Sequence, residues 1–178
     1  MVEVTRLWLV RHGATSWTED GRLCGWSDVP LSGLGRHQVA LLRPALEDLE
    51  FDSTSTSDLR RATESAEIAV GGAAPDGRLR ELDFGELEGK TWDECHPDLQ
   101  EALSTFDGFL APGGESVAQL ESRVRNFIDE LRHGEHLIFT HGGVIRLLAR
   151  LAGRNIVAKP GQMTVLDWGD EQREGVAT

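Results

Sequence analysis

Two short apolar runs constrain the fold most. Leu7-Trp8-Leu9-Val10 and His136-Leu137-Ile138-Phe139-Thr140 are continuous rather than alternating, as expected of strands covered on both faces. Each run stops at a histidine followed by glycine, Arg11-His12-Gly13 in one case and His141-Gly142-Gly143 in the other. Between them lie helical patterns. Ser32 precedes a stripe over about 33–49, Leu59–Val70 closes at Gly71-Gly72, and Ser116 precedes an amphipathic stretch with Val117, Leu120, Val124, Phe127, Ile128 and Leu131 on one face, terminated at Gly134. A further helix is expected over Val144–Ala152 and a last strand over Met163–Trp168. Phe51–Ser57 and Arg78–Leu82 read as weaker strands, and 83–115 as irregular chain with one or two short helices. The alternation of strand and helix predicts an α/β fold, with three layers and a mostly parallel central sheet. No repeat or linker divides the chain, so 1–178 is expected to be one domain, with 169–178 a solvated tail.

Composition removes several functions. Thirty Asp and Glu against 18 Lys and Arg give a net charge of −12, which argues against nucleic acid and against anionic membrane surfaces. No apolar run has the length of a membrane span, and the first residues do not read as a signal peptide, so the expected location is the cytoplasm. Cys24 and Cys95 stand alone, 71 residues apart, and form no metal-binding spacing; a zinc site using His12, His141 and Cys24 has no support. Neither metal nor cofactor is expected.

In an open parallel sheet, ligands bind beyond the carboxyl ends of the strands. His12 and His141, each directly after a buried strand, therefore belong to one edge and face each other if their strands are neighbours. Gly13, Gly142 and Gly143 let backbone approach a ligand, and the helix start after His141 offers free N–H groups. Arg11 adjoins His12, and Arg60-Arg61 opens the helix after the weak strand at 51–57. Two histidines, two arginines and backbone donors together suit a phosphate or similar dianion.

These residues sit in segments that resemble the histidine phosphatase superfamily, which includes the cofactor-dependent phosphoglycerate mutases. Leu9-Val10-Arg11-His12-Gly13-Ala14-Thr15 is similar to its signature, and Gly25-Trp26-Ser27-Asp28 through Pro30-Leu31-Ser32 and Gly35 to its next segment. Ser57-Asp58-Leu59-Arg60-Arg61-Ala62 resembles the second arginine motif, with Arg61 at the phosphate-binding position. Glu81-Leu82-Asp83-Phe84-Gly85-Glu86-Leu87-Glu88-Gly89 resembles the acid/base segment. Pro112-Gly113-Gly114-Glu115-Ser116 and Thr140-His141-Gly142-Gly143 complete the order, so the likeness spans about 6–150.

The resemblance implies a phosphoglycerate mutase-like fold and a metal-free mechanism. His12 would be the nucleophile, and Arg11, Arg61 and His141, with Gly142 backbone, would hold the phosphoryl oxygens. Thr15 would add a hydroxyl and Glu81 would be the acid/base. Glu81 is favoured over nearby Glu86 and Glu88 on motif alignment, with Glu115 a second acid, and Thr18 stands where the family often has Asn.

Residues 86–115 are expected to cover the site. Between Glu81 and Glu121 the chain has one Lys, Lys90, no Arg, and the acids Asp93, Glu94, Asp98, Glu101, Asp107 and Glu115. An acidic cover with Trp17, Trp26, Trp92, Phe106 and Phe109 available to stack favours a phosphatase for a small phosphorylated metabolite with an uncharged or cationic organic part. The length and the run of residues look most similar to α-ribazole-5′-phosphate phosphatases. A phosphoglycerate mutase is the alternative, and a non-catalytic phospho-ligand-binding domain is the rival from another class. Self-association as a homodimer is left open.

Overall fold

The alternation within the first apolar run divides its side chains between two cores. Leu7 and Leu9 are buried on one face of the sheet, Val10 on the other, with Trp8 packed beside it. The computed structural model describes residues 4–169 and Gln172. In chain order the elements are β1 (Thr5–Arg11), α1 (Ser16–Glu19), α2 (Gly33–Ala40), α3 (Arg43–Leu46), β2 (Ser53–Thr56), α4 (Arg60–Val70), β3 (Ala74–Pro75), α5 (Pro97–Thr105), α6 (Val117–Ile128), β4 (Gly134–Thr140), α7 (Gly142–Leu151) and β5 (Met163–Trp168). The sheet order is β3-β2-β4-β1-β5. The pairs β3/β2, β2/β4 and β4/β1 are parallel, and β5 runs antiparallel along β1.

On one face Leu7, Leu9, Ile138, Leu166 and Trp168 pack against Leu120, Val124 and Ile128 of α6 and Val144, Ile145 and Leu148 of α7. On the other, Val10, Leu137 and Phe139 meet Leu46 of α3 and Ala66 and Ala69 of α4. Helices therefore cover both faces, and the expected three-layer α/β architecture holds.

Local chemistry accounts for most boundaries. Ser32 caps α2 by accepting from Gly35 N, and Ser116 forms a capping box with Gln119 at the start of α6. Gly71, at φ 81°, closes α4 in the left-handed conformation that glycine adopts freely.

Four expectations are corrected. The helix read over 33–49 is two, because Pro44 has no N–H for the carbonyl four residues back and its ring crowds that turn. Gly134 does not end α6, which closes at Ile128 with Asp129 as its cap; Gly134 opens β4. The helix after His141 begins two residues earlier than Val144, at Gly142.

The strand expected at Arg78–Leu82 does not form. Arg123 takes the carbonyls of Arg78, Arg80 and Glu81 at 2.6–2.8 Å, and the Thr140 hydroxyl donates to Leu79 O at 2.8 Å. With its acceptors engaged by side chains, this segment has no ladder to join, and Ala74–Pro75 takes the sheet edge instead. Of the expected tail, Gly169 and Gln172 are described and the rest lies outside the described residues.

Candidate active site

The register of the sheet builds the site. Arg11 on β1 pairs with Thr140 on β4, so His12 and His141 are the next residues on adjacent parallel strands. Their rings lie 5.1 Å apart, nearly edge to face. Both are buried. His12 Nδ1 lies 2.7 Å from Gly13 O, an acceptor, so Nδ1 is assigned the proton. Nε2 is then the lone-pair nitrogen, and Arg61 Nε donates to it at 3.2 Å. Burial, then Arg61 and Arg11, hold His12 well below its usual titration range. His12 is a neutral imidazole with a directed lone pair.

Arg61 is wholly buried at the start of α4. Its Nη1 donates to Ser27 O at 2.9 Å, and Nη2 to Gly25 O at 2.6 Å and Cys24 O at 3.2 Å. Glu88 grips the same loop from the other side, accepting from the amides of Gly25, Trp26 and Ser27 at 2.8–3.2 Å. Arg60, by contrast, points outward and pairs with Glu64.

His141 caps α7 without a side-chain bond, and neither of its ring nitrogens has a partner. Burial, followed by Arg61 and His12, keeps it neutral. Arg11 donates through Nη1 to Ala158 O at 2.7 Å, while its buried Nε is unpartnered. Burial pulls its titration down, with Glu81 acting in the opposite sense and Arg61 in the same. Orphaned buried donors and acceptors are rare in proteins. Here they gather beside His12 and two guanidinium groups, an arrangement that can receive an anion.

Glu81 is 8% exposed and lines the same cavity as His12. One carboxylate oxygen accepts from Gly143 N at 3.0 Å and the other from Leu82 N at 2.9 Å. Gly143 is obligatory for this contact: a Cβ there would stand 2.2 Å from Glu81 Oε1. The Glu81 carbonyl is held from behind by Trp26 Nε1 and Arg123.

Part of this set opens onto a cavity of about 330 Å³, within the usual range for a small-molecule site, while Arg61 and His141 lie fully buried behind its wall. Arg11, His12, Glu81, Gly142 and Gly143 line its polar end. A larger hollow of about 480 Å³, which shares Phe106 on its wall, holds none of these groups.

Several expected residues stand elsewhere. Thr15 is fully buried and caps α1, accepting from Thr18 N; it is not on the cavity wall, whereas Thr18 is. Trp26 is 40% exposed with Arg80 stacked on its ring at 4.8 Å, so it supports Glu81 and does not wall the cavity. Glu115 forms a two-pronged ion pair with Arg123 and is no second acid of the cavity. Of the aromatic residues expected to stack, only Phe106 lines the cavity, joined by Phe84.

The charge of the cover is corrected most. None of Asp93, Glu94, Asp98, Glu101, Asp107 and Glu115 is on the wall, and Glu81 is its one carboxylate among the described residues. Arg22 and Arg146 are on it, delivered from outside the 81–121 segment. Sequence reasoning missed both, together with Arg123, because none lies in a motif beside His12 or His141; Glu88, weighed there as an alternative acid, instead holds the loop at 25–27. Cys24 also lines the cavity, but burial pushes its thiol up to about 11, which keeps it protonated. No cluster of three or more His, Cys, Asp or Glu suited to a metal occurs among the described residues, and no helix there is long and apolar enough to cross a membrane.

Residues 7–175 match the family described as the histidine phosphatase superfamily, branch 1. A probable phosphoglycerate mutase of Yersinia enterocolitica is 32% identical over 161 residues, covering 83% of this chain and 75% of the relative. The crystal structure of a phosphoglycerate mutase from Thermus thermophilus superposes with a TM-score of 0.87 at 41% identity, over 92% of this chain and 94% of that one. An Escherichia coli structure named "putative alpha-ribazole-5'-P phosphatase" superposes at 0.78 with 27% identity, over 92% and 90%.

Proposed function

The chain belongs to branch 1 of the histidine phosphatase superfamily, and on that premise we propose that it hydrolyses a small phosphomonoester through a phosphohistidine on His12. The observation that carries this reading is the directed lone pair of neutral His12, held at Nε2 beside Arg61 and next to the unpartnered nitrogens of His141 and Arg11.

In the first step His12 Nε2 attacks phosphorus, the bond from phosphorus to the ester oxygen breaks, and Glu81 gives its proton to the leaving alkoxide. In the second, water attacks phosphorus, the N–P bond breaks, and Glu81 takes the water proton. Two displacements replace one difficult hydrolysis. Arg11, Arg61, His141 and the amides at the start of α7 hold the three phosphoryl oxygens and stabilise the charge that develops on them. The arginines supply the positive charge that Mg²⁺ supplies in many other phosphoryl-transfer sites, so no metal is invoked.

Two readings of the organic part draw on different wall residues. Phe84 and Phe106 suit an aromatic ring, as in α-ribazole 5′-phosphate. Arg22 and Arg146 favour a second reading, phosphoglycerate mutase, whose substrate carries a carboxylate. Hydrolysis is preferred on the resemblance of the chain to the phosphatase branch of the family, with the cavity wall, which includes exposed Val157, open to solvent.

The test is phosphate release from a panel containing p-nitrophenyl phosphate, α-ribazole 5′-phosphate and 3-phosphoglycerate, with His12→Ala as control. Release by the wild type and none by His12→Ala is expected. Equal release by both overturns the nucleophile; interconversion of 3- and 2-phosphoglycerate with little free phosphate makes the protein a mutase; no turnover of any substrate leaves the binding-domain rival.

A further inference from the structure

Arg123 spends all of its donors inside the protein. Nε and Nη2 hold the Glu115 carboxylate at 2.7 and 2.9 Å. Nη1 donates to Arg78 O and Arg80 O at 2.8 and 2.6 Å, and Nη2 also donates to Glu81 O at 2.8 Å. Arg123 does not line the catalytic cavity, so it reaches a substrate only through other residues. Its side chain is 16% exposed and that of Glu115 12%. An ion pair so far out of water adds little stability over apolar side chains of the same volume. What this pair supplies is geometry, because one rigid fork fixes three carbonyls of a segment that belongs to no strand.

That segment ends in the acid, and Glu81 is gripped at both of its ends. Its carboxylate accepts from Gly143 N and Leu82 N, and its carbonyl accepts from Arg123 Nη2 and from Trp26 Nε1 at 2.9 Å. Glu115 is tied to the chain just beyond. Its backbone N–H donates to Asp83 O at 3.0 Å, and Asp83 N donates to its carboxylate at 3.3 Å. Arg123 and Glu115 thus brace residues 78–83 on both sides of Glu81.

We propose that Arg123, with Glu115, is a positioning residue for Glu81, holding the peptide of the acid so that its carboxylate meets the leaving oxygen of the substrate. The inference rests on the phosphohistidine mechanism above and deepens it, adding to the proton donor a residue that touches neither substrate nor phosphoryl group.

The test reads the burst of phosphohistidine formation from p-nitrophenyl phosphate, phenyl phosphate and glycerol 3-phosphate, whose leaving oxygens are increasingly basic and increasingly need a proton. Arg123→Lys keeps the charge that pairs with Glu115 but has three donors and no fork. A carboxylate displaced by about an ångström costs roughly 10- to 100-fold where proton donation matters. The variant is expected to lose that much in burst rate with glycerol 3-phosphate, less with phenyl phosphate, and to stay close to the wild type with p-nitrophenyl phosphate. Glu115→Gln keeps the shape and one acceptor, and is expected to show the same ordering with smaller losses. Added to Glu81→Gln, Arg123→Lys costs nothing further with glycerol 3-phosphate, since the group it positions is gone. Arg125→Lys, two residues along α6, alters an arginine bound to Glu121 and Gln172 O and leaves all three rates as in the wild type.

Unfolded protein lowers the size of the burst on every substrate and not its rate, so loss of fold is told apart from loss of position. Losses equal on all three substrates, wild-type rates in either variant, or a full further loss in the Glu81→Gln background overturn the positioning role and leave the hydrolase standing. Wild-type protein that forms no phosphohistidine from any of the three overturns the hydrolase reading and this inference with it.

Discussion

Arg61 Nε donates to His12 Nε2 at 3.2 Å, while the rest of the same guanidinium is bound to three carbonyls of residues 24–27. One buried side chain thus orients His12 Nε2, the nitrogen proposed to attack, and anchors the loop that carries Cys24 and Trp26. Lysine has no planar fork and reaches at most part of this set. Arg61→Lys is therefore expected to lower kcat roughly 100-fold or more. It also leaves buried carbonyls unpaired, costing about 1–3 kcal/mol each. Denaturant midpoints read beside steady-state rates check both, and wild-type stability with wild-type rate contradicts the double role.

Gly143 and Gly142 separate position from fold. A Cβ on Gly143 meets the Glu81 carboxylate at 2.2 Å, and one on Gly142 only approaches Arg11 Cζ at 3.3 Å. Both neighbours are ends of flexible side chains, so stability changes little. Displacing Glu81 by an ångström costs on the order of 100-fold in rate. Gly143→Ala is expected to lose that much in kcat while Gly142→Ala loses far less; equal rates in the two variants contradict the placement of Glu81.

The acid role of Glu81 is read through the leaving group. Glu81→Gln removes proton donation, worth roughly 10²–10⁴-fold for an alkoxide. p-Nitrophenolate leaves without that help. The variant is expected to retain much of its phosphohistidine formation from p-nitrophenyl phosphate and to lose that from glycerol 3-phosphate, measured as single-turnover bursts. A parallel loss on both substrates assigns the proton to another group.

His12 and His141 are both held neutral in the fold by burial and by nearby guanidinium groups. In the unfolded chain each takes a proton as pH falls through about 6.5. The unfolded state then binds more protons than the folded one, so stability is independent of these residues above about pH 7 and falls below about 6.5. The slope is about 1.4 kcal/mol per pH unit for each histidine. Urea unfolding at pH 7.5 and 5.0 measures it, and His141→Asn is expected to flatten the decline by about half.

Arginine in place of a metal makes a further prediction. Dialysis against excess EDTA is expected to leave the rate of phosphate release unchanged. Loss of activity restored by a divalent cation overturns the metal-free mechanism.

Features of the sequence confined to neighbouring residues carried over well into the structure. Apolar runs interrupted by His-Gly placed β1 and β4, and Ser32 and Ser116 marked helix starts through bonds made three residues away. Strands that end in histidine made a shared edge for His12 and His141 legible, and the pairing of β1 with β4, which the sequence left open, brings the two face to face. Pro44 carries a local signal of the same kind, since its missing N–H and its ring break the turn before it.

Long side chains crossing between elements were not legible, and the tertiary structure alone decided them. Arg123 reaches from α6 to the carbonyls of Arg78, Arg80 and Glu81 and so abolishes an expected strand. Glu88 and Arg61 clasp one loop from opposite sides. Arg146 arrives at the cavity from α7 while none of the acids of 86–115 lines it, which reverses the charge expected there. A guanidinium's position depends on where its helix packs, and packing is set by contacts remote in sequence. The sequence by itself determined the α/β layering and the histidine edge, since both follow from local periodicity. Which charges surround the substrate was decided by the tertiary fold.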